Sequence, residues 1–112
     1  DGALIVTTPQ DVAIVDVRKA VTFCRNLDIK VLGVVENMSY FYVPEIGKRI
    51  ELFGKSRGEE MAQAAHAPFL GQLPIDPELA KLCDEGNIEH YNAEIINSLG
   101  ESLSQATSAK AR

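Results

Sequence analysis

The sequence predicts an α/β fold: a partial doubly wound parallel sheet of three strands with helices, carrying a β-hairpin insertion. Three observations lead there. Short apolar runs recur at Ala3–Thr7, Lys30–Glu36 and Phe69–Leu73, each bounded by polar residues, Gly or Pro. The stretches between and after them place apolar residues at helical spacing. The first two runs are separated by a helical segment of about 17 residues, long enough for the right-handed crossover that parallel strands require.

Along the chain, Thr8-Pro9-Gln10-Asp11 has the composition of a helix start, with Thr8 as cap, Pro9 at the first helical position and Asp11 completing a capping box. Ala13, Val17, Ala20, Cys24 and Leu27 then form the predicted buried face of a helix ending near Leu27-Asp28. After the second strand, Tyr40–Val43 and Arg49–Phe53 are expected to pair as a hairpin around Pro44–Lys48, an insertion spanning about residues 40–53. Its tip, Tyr42–Gly47, carries no reactive side chain except the Glu45 carboxylate. Gly54–Gly58 is a loop, Glu59–Ala65 a short helix packing Met61, Ala62 and Ala65, and His66-Ala67-Pro68 its breaker. Beyond the third strand, Asp76 caps a helix that begins at Pro77 and closes near Gly86-Asn87. Ile88, Tyr91, Ile95, Leu99 and Leu103, joined by Ile96, predict one last helix. Residues 104–112 are small and polar and are expected to form a flexible tail, leaving 1–103 as the folded portion. Three parallel strands make a thin sheet with two open edges, so further strands of the same polypeptide, or association of chains, are expected to complete it. The immediate start on an apolar strand likewise predicts residues upstream.

Composition narrows the classes of function. The 112 residues carry a formal charge of −5, which argues against a general nucleic-acid binder with its basic stripe, though not against local phosphate contacts. No apolar run approaches the length needed to span a bilayer and no secretory leader is expected, so the expectation is no membrane partner and a cytoplasmic location. Cys24 and Cys83 are far apart and neither belongs to a Cys-x-x-Cys pair, which argues against a disulfide framework or a self-contained metal site.

Gly54-Lys55-Ser56 imitates the end of a phosphate-binding loop. Position 49 is Arg rather than Gly, however, and Ile50–Phe53 is no glycine-rich turn after a buried strand. His66 and His90 have no partner at ligand spacing, and no nucleophile and base stand together, so no catalytic residue and no metal ligand is assigned. The strand ends are the better candidates. In open α/β sheets ligands occupy the crevice beyond the carboxyl ends of the strands. Asn37 offers both a donor and an acceptor to the edge of an adenine, and Pro74-Ile75-Asp76 stands at the adjoining strand end as a wall for the base. An Asn also simply turns a chain after a strand, and that alternative stays open.

The blocks Asp1–Ala13, Asp16–Ala20 and Val31–Phe41 closely resemble Mrp-type P-loop ATPases, the iron–sulfur cluster carrier branch of the MinD-like deviant-Walker group. Phe53-Gly54, Pro68–Gly71 and Leu73–Pro77 continue the resemblance in the same order, out to about residue 90. It implies the C-terminal portion of a P-loop NTPase fold, in which the nucleotide-gripping lysine loop and the Mg2+ ligands lie upstream of Asp1. The part of the site that maps here is the adenine side: Asn37 with Met38 beside it, then Pro74, Ile75 and Asp76. ATP or ADP is the implied ligand and a homodimer the implied assembly. One departure stands out. Cluster-carrying members of the family place Cys-x-x-Cys in the hairpin, where this chain has Val43 and Ile46, and aliphatic side chains cannot replace the thiolates that hold iron–sulfur clusters. Cluster binding there is therefore not expected. A dimer-forming, ATP-binding portion of such a protein is the leading expectation. A non-catalytic interaction or oligomerisation domain, and an iron–sulfur scaffold, are the alternatives.

Overall fold

A computed structural model describes residues 1–91 and 93–111, with side chains through Thr107. Strand β1 (Ala3–Thr7) leads to helix α1 (Ala13–Asn26) and strand β2 (Val31–Glu36). A two-stranded hairpin follows, β3 (Phe41–Val43) with β4 (Lys48–Ile50), then α2 (Gly58–Ala65), β5 (Phe69–Gln72) and α3 (Pro77–Glu85). A single 3-10 turn at Ile88–His90 precedes α4 (Glu94–Ala111). The sheet is parallel in the order β1-β2-β5, and the antiparallel hairpin stands apart from it as a second sheet. The predicted architecture is the one observed.

Alternation along β2 distributes the helices. Val34, wholly buried, points with Ile5 toward α1 and α2, where Ala13, Val17, Val21, Met61, Ala62 and Ala65 complete the main core. Val35 points the other way, and α4 packs across β2 and β5 on that face. Close approach there depends on Gly33, since a Cβ at that position would stand 2.5 Å from the Leu70 side chain. The Thr7 hydroxyl, buried at the end of β1, donates to the Met61 sulfur at 3.1 Å and ties the sheet to α2. Among the described residues no helix is long and apolar enough to cross a membrane.

Several local expectations give way to longer-range contacts. Helix α1 begins at Ala13 after Val12, with no side-chain cap, so the box at Thr8–Asp11 does not form. The Thr8 hydroxyl instead donates to the Gln10 side chain at 2.8 Å, and Asp11 pairs with Arg57 across 46 positions of sequence. Val21, not Leu27, completes the buried face of α1, because the helix has already ended at Leu27. The second hairpin strand starts at Lys48 and stops at Ile50, leaving Leu52 and Phe53 exposed in the loop. The expected single last helix is broken, and Ile88 and Tyr91 lie outside α4. The backbone of 104–111 continues α4; position 92 of the predicted helix and position 112 of the expected tail lie outside the described residues.

Candidate functional site

The site is built where the strands β2 and β5 run out. Beyond the sheet proper the two chain segments stay paired. The Leu73 N–H donates to the Glu36 carbonyl at 2.7 Å, Ser39 N–H to the Leu73 carbonyl at 3.0 Å, and Ile75 N–H to the Tyr40 carbonyl at 2.7 Å. Asn37 is held on the opposite side of β2, its N–H donating to the Thr7 carbonyl at 2.7 Å. Between Asn37 and Ser39 the chain turns through Met38, whose φ of +55° is a left-handed conformation that a bulky side chain seldom adopts. That turn brings Ser39 back over the residue that closes β2.

That residue is Glu36, a carboxyl side chain with no exposed surface. Burial of such a group is costly unless its oxygens find donors. Both do. The Ser39 hydroxyl donates to Oε1 at 2.5 Å, and the Arg57 N–H donates to Oε2 at 2.8 Å. Ser39 is the residue before the hairpin segment and Arg57 the residue after it, at the N-terminus of α2, where negative charge is favoured. One carboxyl group therefore closes the base of the whole excursion 40–56. The Arg57 side chain adds a surface network, with a bidentate pair to Glu60 at 2.9 Å and a contact to Asp11.

With its base closed, the hairpin leans over the loop that follows β5, and a cleft of about 720 Å³ opens between them. Tyr40, Phe41, Tyr42, Gly47 and Arg49 line it from the hairpin, and Pro74, Ile75, Asp76 and Pro77 from the loop. The volume lies within the range of sites for small organic ligands, and the lining has their usual makeup: aromatic and apolar walls with a few polar groups. Tyr40 is buried and the Arg49 guanidinium lies over its ring, 4.1 Å from the centroid. Both Asp76 oxygens are engaged: Oδ1 accepts the Glu78 N–H at 3.0 Å as the cap of α3, and Oδ2 accepts the Tyr91 hydroxyl at 2.6 Å.

Of the residues singled out in the sequence, Pro74, Ile75 and Asp76 come together in this cleft. Asn37 and Met38 belong to the same end of the sheet but are not among the lining residues of the cleft. Sequence reasoning missed the hairpin's contribution, Tyr40 and Arg49 above all, because it looked for reactive groups at the tip while the cleft is lined from β3, β4 and the residue before β3. It also passed over Glu36, whose signal was an acidic residue closing an otherwise apolar strand. Cys24 is buried and Cys83 exposed, both free, and among the described residues no group of three or more His, Cys, Asp or Glu side chains is placed to hold a metal.

Comparison with known proteins gives this geometry a context. A family model described as "ParA: NUBPL iron-transfer P-loop NTPase" matches residues 1–108. An iron–sulfur cluster carrier protein of Aquifex aeolicus is 44% identical over 115 residues, covering 97% of this chain and 32% of that protein. The human cytosolic Fe-S cluster assembly factor NUBP2 is 49% identical over 86 residues, covering 77% and 32%. Among solved structures, a nucleotide-binding protein from Archaeoglobus fulgidus in complex with ADP superposes with a TM-score of 0.73 at 41% identity, over 85% of this chain and 39% of that one. The chain thus spans well under half the length of the relatives it matches.

The Tyr91–Asp76 bond makes the cleft's outer loop sensitive to alkali. The hydrogen bond to Asp76, then burial and the negative charge of Asp76, push the Tyr91 hydroxyl up from its ordinary 10.0 to about 12. The fold favours the neutral phenol, so this contribution is complete below pH 10.0 and is lost as pH rises toward about 12. Urea unfolding of the native chain is expected to weaken across that window more steeply than that of Tyr91→Phe, and equal slopes would remove the bond from the stability account.

Proposed function

The chain belongs to the ParA family of NUBPL iron-transfer P-loop NTPases, and on that premise we propose that it supplies the base-binding side of an adenine-nucleotide site in an iron–sulfur cluster assembly protein. The observation that carries this reading is the cleft beyond β2 and β5, whose aromatic and proline-rich walls suit a flat purine. The ADP complex of the 41% identical relative supports it. Pro74 and Ile75 wall the base in this reading, Asp76 holds the loop by capping α3, and Asn37 with Met38 reaches the nucleotide from the neighbouring strand end. Phosphoryl transfer depends on a lysine-bearing glycine-rich loop, Mg2+ and a placed water. Those groups would come from outside residues 1–112, so this segment recognises and positions the nucleotide, and ATP hydrolysis is a property of the larger assembly.

Iron–sulfur cargo is a separate matter. The hairpin turn is closed by the Ile46 N–H donating to the Val43 carbonyl at 3.3 Å, and neither side chain has a donor atom. The residues here do not fit a cluster, so the transfer named for the family would use thiolates elsewhere in the assembly. The cytosolic names of several relatives support a cytoplasmic location.

The nucleotide reading is tested by titrating a fluorescent ADP analogue into the chain and its Ile75→Asp and Asn37→Ala variants. Wild-type binding weakened about tenfold or more by Ile75→Asp is the expected result, equivalent to roughly 1.4 kcal/mol. No binding at millimolar nucleotide, or an unchanged affinity in Ile75→Asp, overturns it; an unchanged affinity in Asn37→Ala removes only Asn37 from the site.

Exposed apolar groups on the hairpin outside the cleft favour a second property, self-association into a homodimer. Ile46 is 59% and Leu52 56% exposed, on an arm that projects from the sheet. Light scattering is expected to show a dimer that Ile46→Lys dissociates, and a monomer at high concentration contradicts this.

A further inference from the structure

Arg49 is the part of the cleft that the nucleotide reading leaves unexplained. It is an exposed cation on β4, and among the described residues it forms no ion pair, whereas Arg57 takes two carboxylates. Its cross-strand partner is Tyr42, yet its guanidinium is laid over Tyr40, the buried residue that leads into β3. A guanidinium with one face on an aromatic ring loses little by desolvation of that face, because it is weakly hydrated above and below its plane. Tyr40 is itself fixed, since its carbonyl accepts the Ile75 N–H at 2.7 Å. The cation is therefore pre-placed at the mouth of a cleft whose loop side offers Pro74 and Ile75.

Resting on the nucleotide reading above, we propose that Arg49 is a base-contacting residue whose guanidinium plane stacks on the purine and extends the Tyr40–Arg49 pile by one layer. The hairpin then belongs to the nucleotide site as its outer wall. A purine fits this role because it is flat and polarisable, so it gains from the planar cation as an indole or phenol ring does. The contact is to the base, so it requires no phosphate. It also has a geometric signature: a lysine preserves the charge at position 49 and abolishes the plane.

The test is a titration of ADP and of adenosine into the native chain, Arg49→Ala, Arg49→Lys and Ile75→Asp, followed by NMR chemical-shift changes. Circular dichroism melts check that the position 49 variants stay folded. The expected result is a loss of about three- to tenfold in affinity for both ligands in Arg49→Ala, with no recovery in Arg49→Lys. Recovery in Arg49→Lys, or a loss confined to ADP, would mean that Arg49 acts through charge on the phosphates and overturns stacking. Native affinity in both position 49 variants alongside weakened binding in Ile75→Asp overturns the role of Arg49 and leaves the nucleotide reading standing. No binding by the native chain overturns both.

Discussion

The Glu36 carboxyl group is the interaction on which the shape of the site depends. It lies at the end of the central strand, without solvent, and it is satisfied from two directions by the residues that flank the hairpin segment. A two-stranded hairpin has little stability of its own in water. Here β3 and β4 form their own sheet, tied to the main one at Ser39 and Arg57, by the backbone bond from Ile75 to Tyr40 and by the burial of Tyr40. A buried donor left without its acceptor costs about 1–3 kcal/mol. Two such bonds at the root of the arm are thus enough to decide where it points. Their consequence is the cleft, since its walls are the hairpin and the loop after β5.

Much of this was legible in the residues. Parallel strands, a crossover helix and a cap at Asp76 follow from apolar runs and local hydrogen-bonding preferences, and these decided the outcome because no tertiary contact opposed them. Asp76 shows why the local signal sufficed: the same carboxylate that caps α3 also receives Tyr91, so both demands agree. At Thr8–Asp11 the demands conflict. Asp11 looked like a capping partner but is drawn to Arg57, a residue no local pattern could associate with it. The last helix fails for the same kind of reason, because Tyr91 is held by Asp76 at 2.6 Å and leaves the helical path. The site divides likewise. Pro74–Asp76 is one contiguous stretch at a strand end and could be picked out by position, while Arg49 and Tyr40 meet only through the register of the hairpin.

On the proposed reading, labour is divided between this chain and the rest of the nucleotide site. The chain presents a cleft lined by aromatic, proline and aliphatic side chains with Arg49 and Asp76 at its polar positions, a makeup that suits the base-binding role proposed above. The hairpin tip carries aliphatic Val43 and Ile46, and its turn is closed by backbone bonds with Gly47 in the left-handed conformation.

Hydrogen exchange of Glu36→Gln measures the central claim most directly. The amide replaces one oxygen by a donor of nearly the same size, so it removes an acceptor at the hairpin's root without opening a cavity. Faster exchange confined to residues 40–57, with β1, β2 and α1 still protected, is the result expected of a carboxyl group that holds the arm. Unchanged protection across 40–57, or a loss spread evenly over the whole sheet, would show that Glu36 is merely one more core residue.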